Sequence, residues 1–183
     1  MKITEFGNPI LREKARPLSS GEIKSPKTQK LIENMREFLT SKKLGVGLAA
    51  PQVGESITLA IVSIRPLKHR KDVKEFDLTI INPEIVEAFG RKGQQWEGCI
   101  SAGPTKSGLF AEVPRYKKIK LKYTDENGIL KNKVFEGLLA HIIQHEVDHL
   151  NGVLFVDRVK DKKTFVTYRE YLKIVKQKKL SMN

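Results

Sequence analysis

The sequence predicts an α+β fold: mixed or antiparallel β-sheets around a central helix, with one helix near the amino terminus and another near the carboxyl terminus. Three observations predict it. Residues 137–150 are apolar around so much of a helical circumference that this helix belongs in the core. Residues 118–123 alternate lysine with Ile119, Leu121 and Tyr123 and then run into Asn127-Gly128, the pattern of a β-hairpin. Residues 25–43 place apolar side chains at helical spacing behind a Ser-Pro start. One domain spanning 1–183 suits the length, since domains run to roughly 150 residues, and a 39% hydrophobic composition can fill its core.

In chain order, Phe6 to Arg12 reads as a turn leading into an extended arm, because Asn8-Pro9 initiates turns and disfavours helix. Ser25 is the expected N-cap and Pro26 the first helical residue, with Leu31, Ile32, Met35, Phe38 and Leu39 on the buried face. The helix is expected to reach about Lys43 and to be stopped by Gly45 and Gly47. Thr58 to Ile64 and Leu78 to Ile81 read as buried strands, the second ended by Asn82-Pro83, with a polar surface loop from Arg65 to Asp77 between them. Strands follow from Lys118 to Tyr123 and from Ile129 to Phe135. The central helix ends at Asn151-Gly152, residues suited to a left-handed cap. A last helix is expected in the tail, with Phe165, Tyr168 and Leu172 as its apolar stripe.

Composition removes several function classes. The one cysteine, Cys99, cannot form an internal disulfide, and no apolar run approaches the roughly 20 residues of a membrane span. A cytoplasmic protein is expected. Lysine and arginine number 34 against 21 acidic residues, a net charge of +13. The excess lies in blocks at 68–74, 117–122 and 160–179, which read first as solvated basic faces, with a nucleic acid neighbour as the other reading.

The string His145-Glu146-Val147-Asp148-His149 carries the most chemistry. Residues four apart share a helix face, so both imidazoles can reach one ion, with Glu146 beside them. Three costly polar groups on a buried helix are unfavourable unless a metal satisfies them. A catalytic ion usually has three protein ligands, and two candidates can complete the set: Cys99 upstream, or Glu170 downstream as in a thermolysin-like metallopeptidase. Leu138 and Ile142 precede His145 on the same stripe, which predicts an apolar pocket beside the metal. Asp148 is a candidate ion-pairing residue, His141 a candidate for the pocket rim or equally for a surface or hydrogen-bonded place, and Trp96 a packing residue.

Gly45-Val46-Gly47-Leu48-Ala49-Ala50-Pro51-Gln52, then Glu97-Gly98-Cys99-Ile100-Ser101, then Gln144-His145-Glu146-Val147-Asp148-His149-Leu150-Asn151-Gly152, in that order, closely resemble the three motifs of the peptide deformylases. The resemblance extends to Asn8 to Arg12, to Val113-Pro114-Arg115 and to Leu154 to Arg158, so it covers about residues 6–158 and leaves a basic tail at 159–183. The second motif has Ile100 where the family usually has leucine. The stretch from Ser101 to Phe110 is longer and more polar than usual, and is expected to reshape the pocket mouth and substrate preference.

The resemblance implies a mononuclear metal held by Cys99, His145 and His149, and hydrolysis of the N-formyl group of initiator formyl-methionine on nascent polypeptides. Glu146 is implied as general acid/base, and Gln52 with the backbone N–H of Ile100 as donors to the formyl oxygen. It also implies that Gly45, Val46 and Gly47 pair with the peptide backbone while Leu138 and Ile142 line the methionine pocket. Fe(II) is the favoured ion, with zinc, nickel or cobalt compatible with the same donors. The expected partners are formylated nascent peptides and, through the basic tail, the ribosome. No membrane contact is expected, and a monomer is. The rivals are the Glu170 metallopeptidase and a deformylase-like binding module without activity.

Overall fold

The computed structural model describes residues 1–42, 45–66, 74–103 and 108–180. Helix α1 (Ser20–Ile23) leads into α2 (Pro26–Ser41), followed by strands β1 (Gly47–Ala49), β2 (Leu59–Ile64), β3 (Phe76–Gly98), β4 (Leu109–Thr124) and β5 (Leu130–Glu136). Helix α3 (Gly137–Leu150), the short α4 (Phe155–Arg158), strand β6 (Val166–Thr167) and α5 (Tyr168–Leu180) complete the chain. The strands pair in the order β1-β2-β3-β4-β5, with β6 on β4, and every pairing is antiparallel. The α+β class holds, with its sheet of the antiparallel kind. Among the described residues no helix is long and apolar enough to cross a membrane.

Sheet and helices form three layers. Leu59 and Ile61 of β2 face Ile32, Met35 and Leu39 of α2, whereas Ala60 and Val62 face Ile142, Ile143 and Val147 of α3. Because β2 is covered on both faces, its sequence is a continuous apolar run rather than an alternating one. Alanine at 49 and 60 leaves room for α3 to lie close to the sheet. On β4 the predicted alternation is present: Ile119, Leu121 and Tyr123 are buried beneath α3. The hairpin also forms, with Gly128 at φ 78° and Asp125 Oδ1 accepting the N–H groups of Asn127 and Ile129.

Several expectations needed correction. Asn8-Pro9 opens a 3₁₀ turn, Pro9–Arg12, because the Asn8 side chain caps the N–H of Ile10; the extended arm begins only at Glu13. Ser25 caps α2 as predicted, but the helix ends at Ser41, and Lys43 lies outside the described residues. Asn82-Pro83 does not end a strand: β3 passes through it by a register shift between Ile81 and Glu84, with Asn82 at φ 49°. Further shifts follow at Ile85/Glu87 and Phe89/Lys92, and such bulges bend a strand. Beyond these shifts β3 stays paired to β4 as far as Gly98 opposite Phe110, and so brings Glu97 and the following Cys99 to α3. The start of α3 is open to solvent at Leu138, 46% exposed, although Ala140 in the same turn is buried. Phe165 precedes β6 rather than lying on α5, and it is Tyr168 and Tyr171 that seat this helix, both against Phe110. Residues 67–73 of the predicted surface loop and 104–107 of the polar insert lie outside the described residues; Phe76, Asp77, Leu109 and Phe110, assigned to those segments, belong to strands.

Candidate metal centre

Three segments converge on α3. The first is β1 with the 3₁₀ turn Ala50–Val53 that carries Gln52; the second is the end of β3, where Cys99 is followed by the turn Ile100–Ala102. The third is α3 itself, whose carboxyl end is fixed by Gly152 in the left-handed region at φ 71°. A side chain on Gly152 would also strike the main chain of Arg12, with a Cβ only 2.7 Å from its carbonyl carbon.

Cys99, His145 and His149 bring one ligand atom each within 4.8 Å of one another, and among the described residues theirs is the cluster of this kind. Sγ of Cys99 stands 3.3 Å from Nε2 of His149. Glu170, the other candidate third ligand, is not in the cluster: it is exposed in the first turn of α5 and pairs with Lys173 at 2.8 Å. The arrangement suits a cation. His149 is buried and neutral, its pKa driven well below the usual value by burial and by the charge of His145, and its Nδ1 has no hydrogen-bond partner among the described residues. One thiolate and two imidazoles are a donor set that takes first-row divalent metals.

Glu97 governs His145. Its Oε2 lies 2.8 Å from His145 Nδ1 and its Oε1 2.8 Å from His141 Nε2, while Arg115 donates to both oxygens at 2.6 and 3.0 Å. Burial alone would raise this carboxyl's pKa, but the hydrogen bonds from His141, His145 and Arg115 hold it far below the usual range. Glu97 is therefore an ionised acceptor for the Nδ1 hydrogen of His145; burial alone would lower the pKa of His145, but Cys99 and Glu97 hold it well above the usual value, so a metal would take Nε2 by displacing its proton. Arg115 also donates to Asp148 at 2.6 Å, and Arg158 clasps Asp148 at 2.7 and 3.1 Å. Asp148 is thus the ion-pairing residue the sequence suggested. Glu97, Arg115 and Arg158 were not assigned roles from sequence; the signals were a charged residue inside a motif strand and two arginines in recognisable signatures.

Glu146 lies beside these groups, 3% exposed, and its Oε2 has no hydrogen-bond partner among the described residues. Burial raises its pKa to about 7, offset in part by the charge of His145. Its carboxylate passes over Gly47, where an added Cβ would sit 2.6 Å from Glu146 Cδ. Gly47 is therefore more than a helix stop: only glycine leaves space for that side chain. Gly47→Ala is expected to displace the carboxylate and lower kcat about 100-fold, with metal content unchanged, which steady-state kinetics and metal analysis together will check.

The other predicted residues take the following places. Gln52 is buried with its Nε2 3.3 Å from Cys99 Sγ. Ile100 begins the turn after Cys99 and is half-buried. Gly45 and Val46 lead into β1, the edge strand of the sheet, and Val46 packs against the α3 core. Ile142 is buried, Leu138 exposed on the turn before it, and His141 takes the hydrogen-bonded place of its two readings, held by Glu97. Trp96 packs against Tyr171 with ring centroids 5.7 Å apart.

The chain matches the family model described as polypeptide deformylase over residues 1–165. It is 38% identical to peptide deformylase 2 of Nostoc sp. across 96% of this chain and 94% of that one. It is 35% identical to a peptide deformylase of Thermotoga petrophila, with 96% of each covered. Among solved structures, a Met-Ala-Ser-bound class I type b peptide deformylase from Acinetobacter baumannii superposes with a TM-score of 0.79 at 36% identity, over 87% of this chain and 98% of that one. Peptide deformylase from Thermotoga maritima gives 0.74 at 38% identity, over 87% and 97%.

Proposed function

The chain belongs to the polypeptide deformylase family, and from that membership we propose how its residues carry out the metal-dependent removal of the formyl group from nascent polypeptides. It is a hydrolase of formylated peptides. The observation that carries the assignment of roles is the convergence of Cys99, His145 and His149 beside a buried Glu146 whose Oε2 has no hydrogen-bond partner among the described residues.

Cys99, His145 and His149 would hold one divalent cation, which when bound would supply the Lewis acidity that makes water a nucleophile near neutral pH. Glu146 takes a proton from the attacking water and returns it to the amine nitrogen as the C–N bond breaks, so that formate and a free amino terminus leave. Gln52 Nε2 and the backbone N–H of Ile100 donate to the formyl oxygen as it gains charge. Glu97, locked by Arg115, keeps the imidazole of His145 oriented. The edge of β1, with Gly45, Val46 and Gly47, pairs with the peptide backbone, and Leu138 and Ile142 line the space for the methionine side chain.

The favoured ion is Fe(II), with zinc, nickel and cobalt compatible with the same donors. The catalytic domain spans 1–183, acts as a cytoplasmic monomer, and keeps its motif-bearing part at 6–158. The exposed Arg169, Lys173 and Lys176 of α5 support contact with ribosomal RNA through the basic tail. The deciding experiment measures formate released from formyl-Met-Ala-Ser by anaerobically prepared protein loaded with iron or with zinc. Turnover by the iron form is expected to be the faster; no formate from any metal form refutes the reading and leaves a binding module.

A further inference from the structure

The side-chain amide of Gln52 is held at three points. Its Oε1 accepts the N–H of Ala49 at 2.8 Å, and its Nε2 donates to Ser101 Oγ at 3.1 Å and to Cys99 Sγ at 3.3 Å. An amide nitrogen has two hydrogens, so both are engaged before a substrate arrives. The role proposed for Gln52 requires one of them at the formyl oxygen. The two acceptors are not equivalent. Sulfur is a weak acceptor and belongs to the metal-facing cluster, whereas Ser101 is 0% exposed and its hydroxyl oxygen is a strong acceptor with no water to compete for it.

We propose that Ser101 is a positioning residue whose hydroxyl retains one Nε2 hydrogen of Gln52, so that the other, resting on Cys99 Sγ, is the one delivered to the formyl oxygen. The inference rests on the donor role assigned to Gln52 above. Two backbone bonds tie the turns that carry this pair: the N–H of Thr4 donates to Gln52 O at 2.7 Å and the N–H of Phe6 to Ser101 O at 2.9 Å. The amino-terminal arm therefore fixes the distance between the two main chains. With the main chains fixed and Oε1 on Ala49, the Ser101 hydroxyl sets the rotation of the amide plane. Without it, Nε2 keeps only the sulfur and the amide can swing away from the formyl position.

The test combines kinetics with a measurement that needs no metal. In the iron-loaded enzyme, Gln52→Ala is expected to lower kcat about 100-fold. Ser101→Ala is expected to lower it about tenfold with KM within about twofold, and to add less than about twofold in the Gln52→Ala background, because it acts through that amide. In metal-free, nitrogen-15-labelled protein, one side-chain amide hydrogen of Gln52 should exchange with solvent about tenfold faster in Ser101→Ala than in the unaltered chain. Ser101→Cys, which keeps a weak acceptor at similar volume, should fall between the two, and serves if alanine prevents folding. Losses that multiply in full in the double variant, or unchanged exchange, overturn the proposal. Unchanged kcat in Gln52→Ala overturns the donor role instead, and the exchange measurement still decides whether Ser101 holds the amide.

Discussion

Glu146→Gln is expected to retain the metal and to lose formate-releasing turnover by about 10³- to 10⁴-fold, the upper part of the range for a positioned acid/base. The substitution preserves shape, so the carboxamide fills the same space over Gly47. What it removes is an atom able to take a proton. Glu146 has that duty twice, once from the attacking water and once toward the departing amine, and neither neighbouring imidazole replaces it: His145 is turned to Glu97 through Nδ1, and burial keeps His149 from taking up a proton. Turnover within about tenfold of the unaltered enzyme, below the usual contribution of such a group, would reassign the proton transfer to another residue. Metal content measured on the same preparation separates this result from simple loss of the ion.

Cys99→Ala should abolish metal retention, lowering affinity by at least about 100-fold, whereas Glu170→Ala should leave metal content and turnover unchanged. Glu170 is exposed and pairs with Lys173 outside the cluster, while Cys99 contributes the one sulfur to it. Full metal content in Cys99→Ala would refute the ligand set. Chelation of the unaltered protein offers a parallel check, since an ion that binds only the folded chain raises its thermal midpoint.

Helix α3 was legible in the sequence because its function and its packing share one periodicity: His145 and His149 are four apart, and Ile142, Ile143 and Val147 occupy the positions around them. Helix α2 announced itself through Ser25 and Pro26. The second half of β3 was not legible. Three register shifts break the two-residue period, and Asn82-Pro83 has the composition of a terminator, although a proline is tolerated at a bulge. The site was concealed by distance along the chain. Glu97 resembles a surface residue of a strand until Arg115, His141 and His145, which lie 18, 44 and 48 positions away, gather around it. Gly47 read as a helix stop because the carboxylate that requires it to be glycine arrives from a residue 99 positions later.

The aromatic seat of α5 has an optical consequence. Trp96 is the sole tryptophan of the chain, and its indole lies against Tyr171 of that helix, whose ring in turn stacks on Phe110 at 4.6 Å. Gly98 leaves room for the Phe110 ring two residues further along the same strand, immediately before Cys99. The emission of one fluorophore therefore reports on the joint between the carboxyl-terminal helix and the strand that ends at the proposed metal ligand. A helix that lifts off to meet a partner does so in view of an intrinsic dye, with no label added.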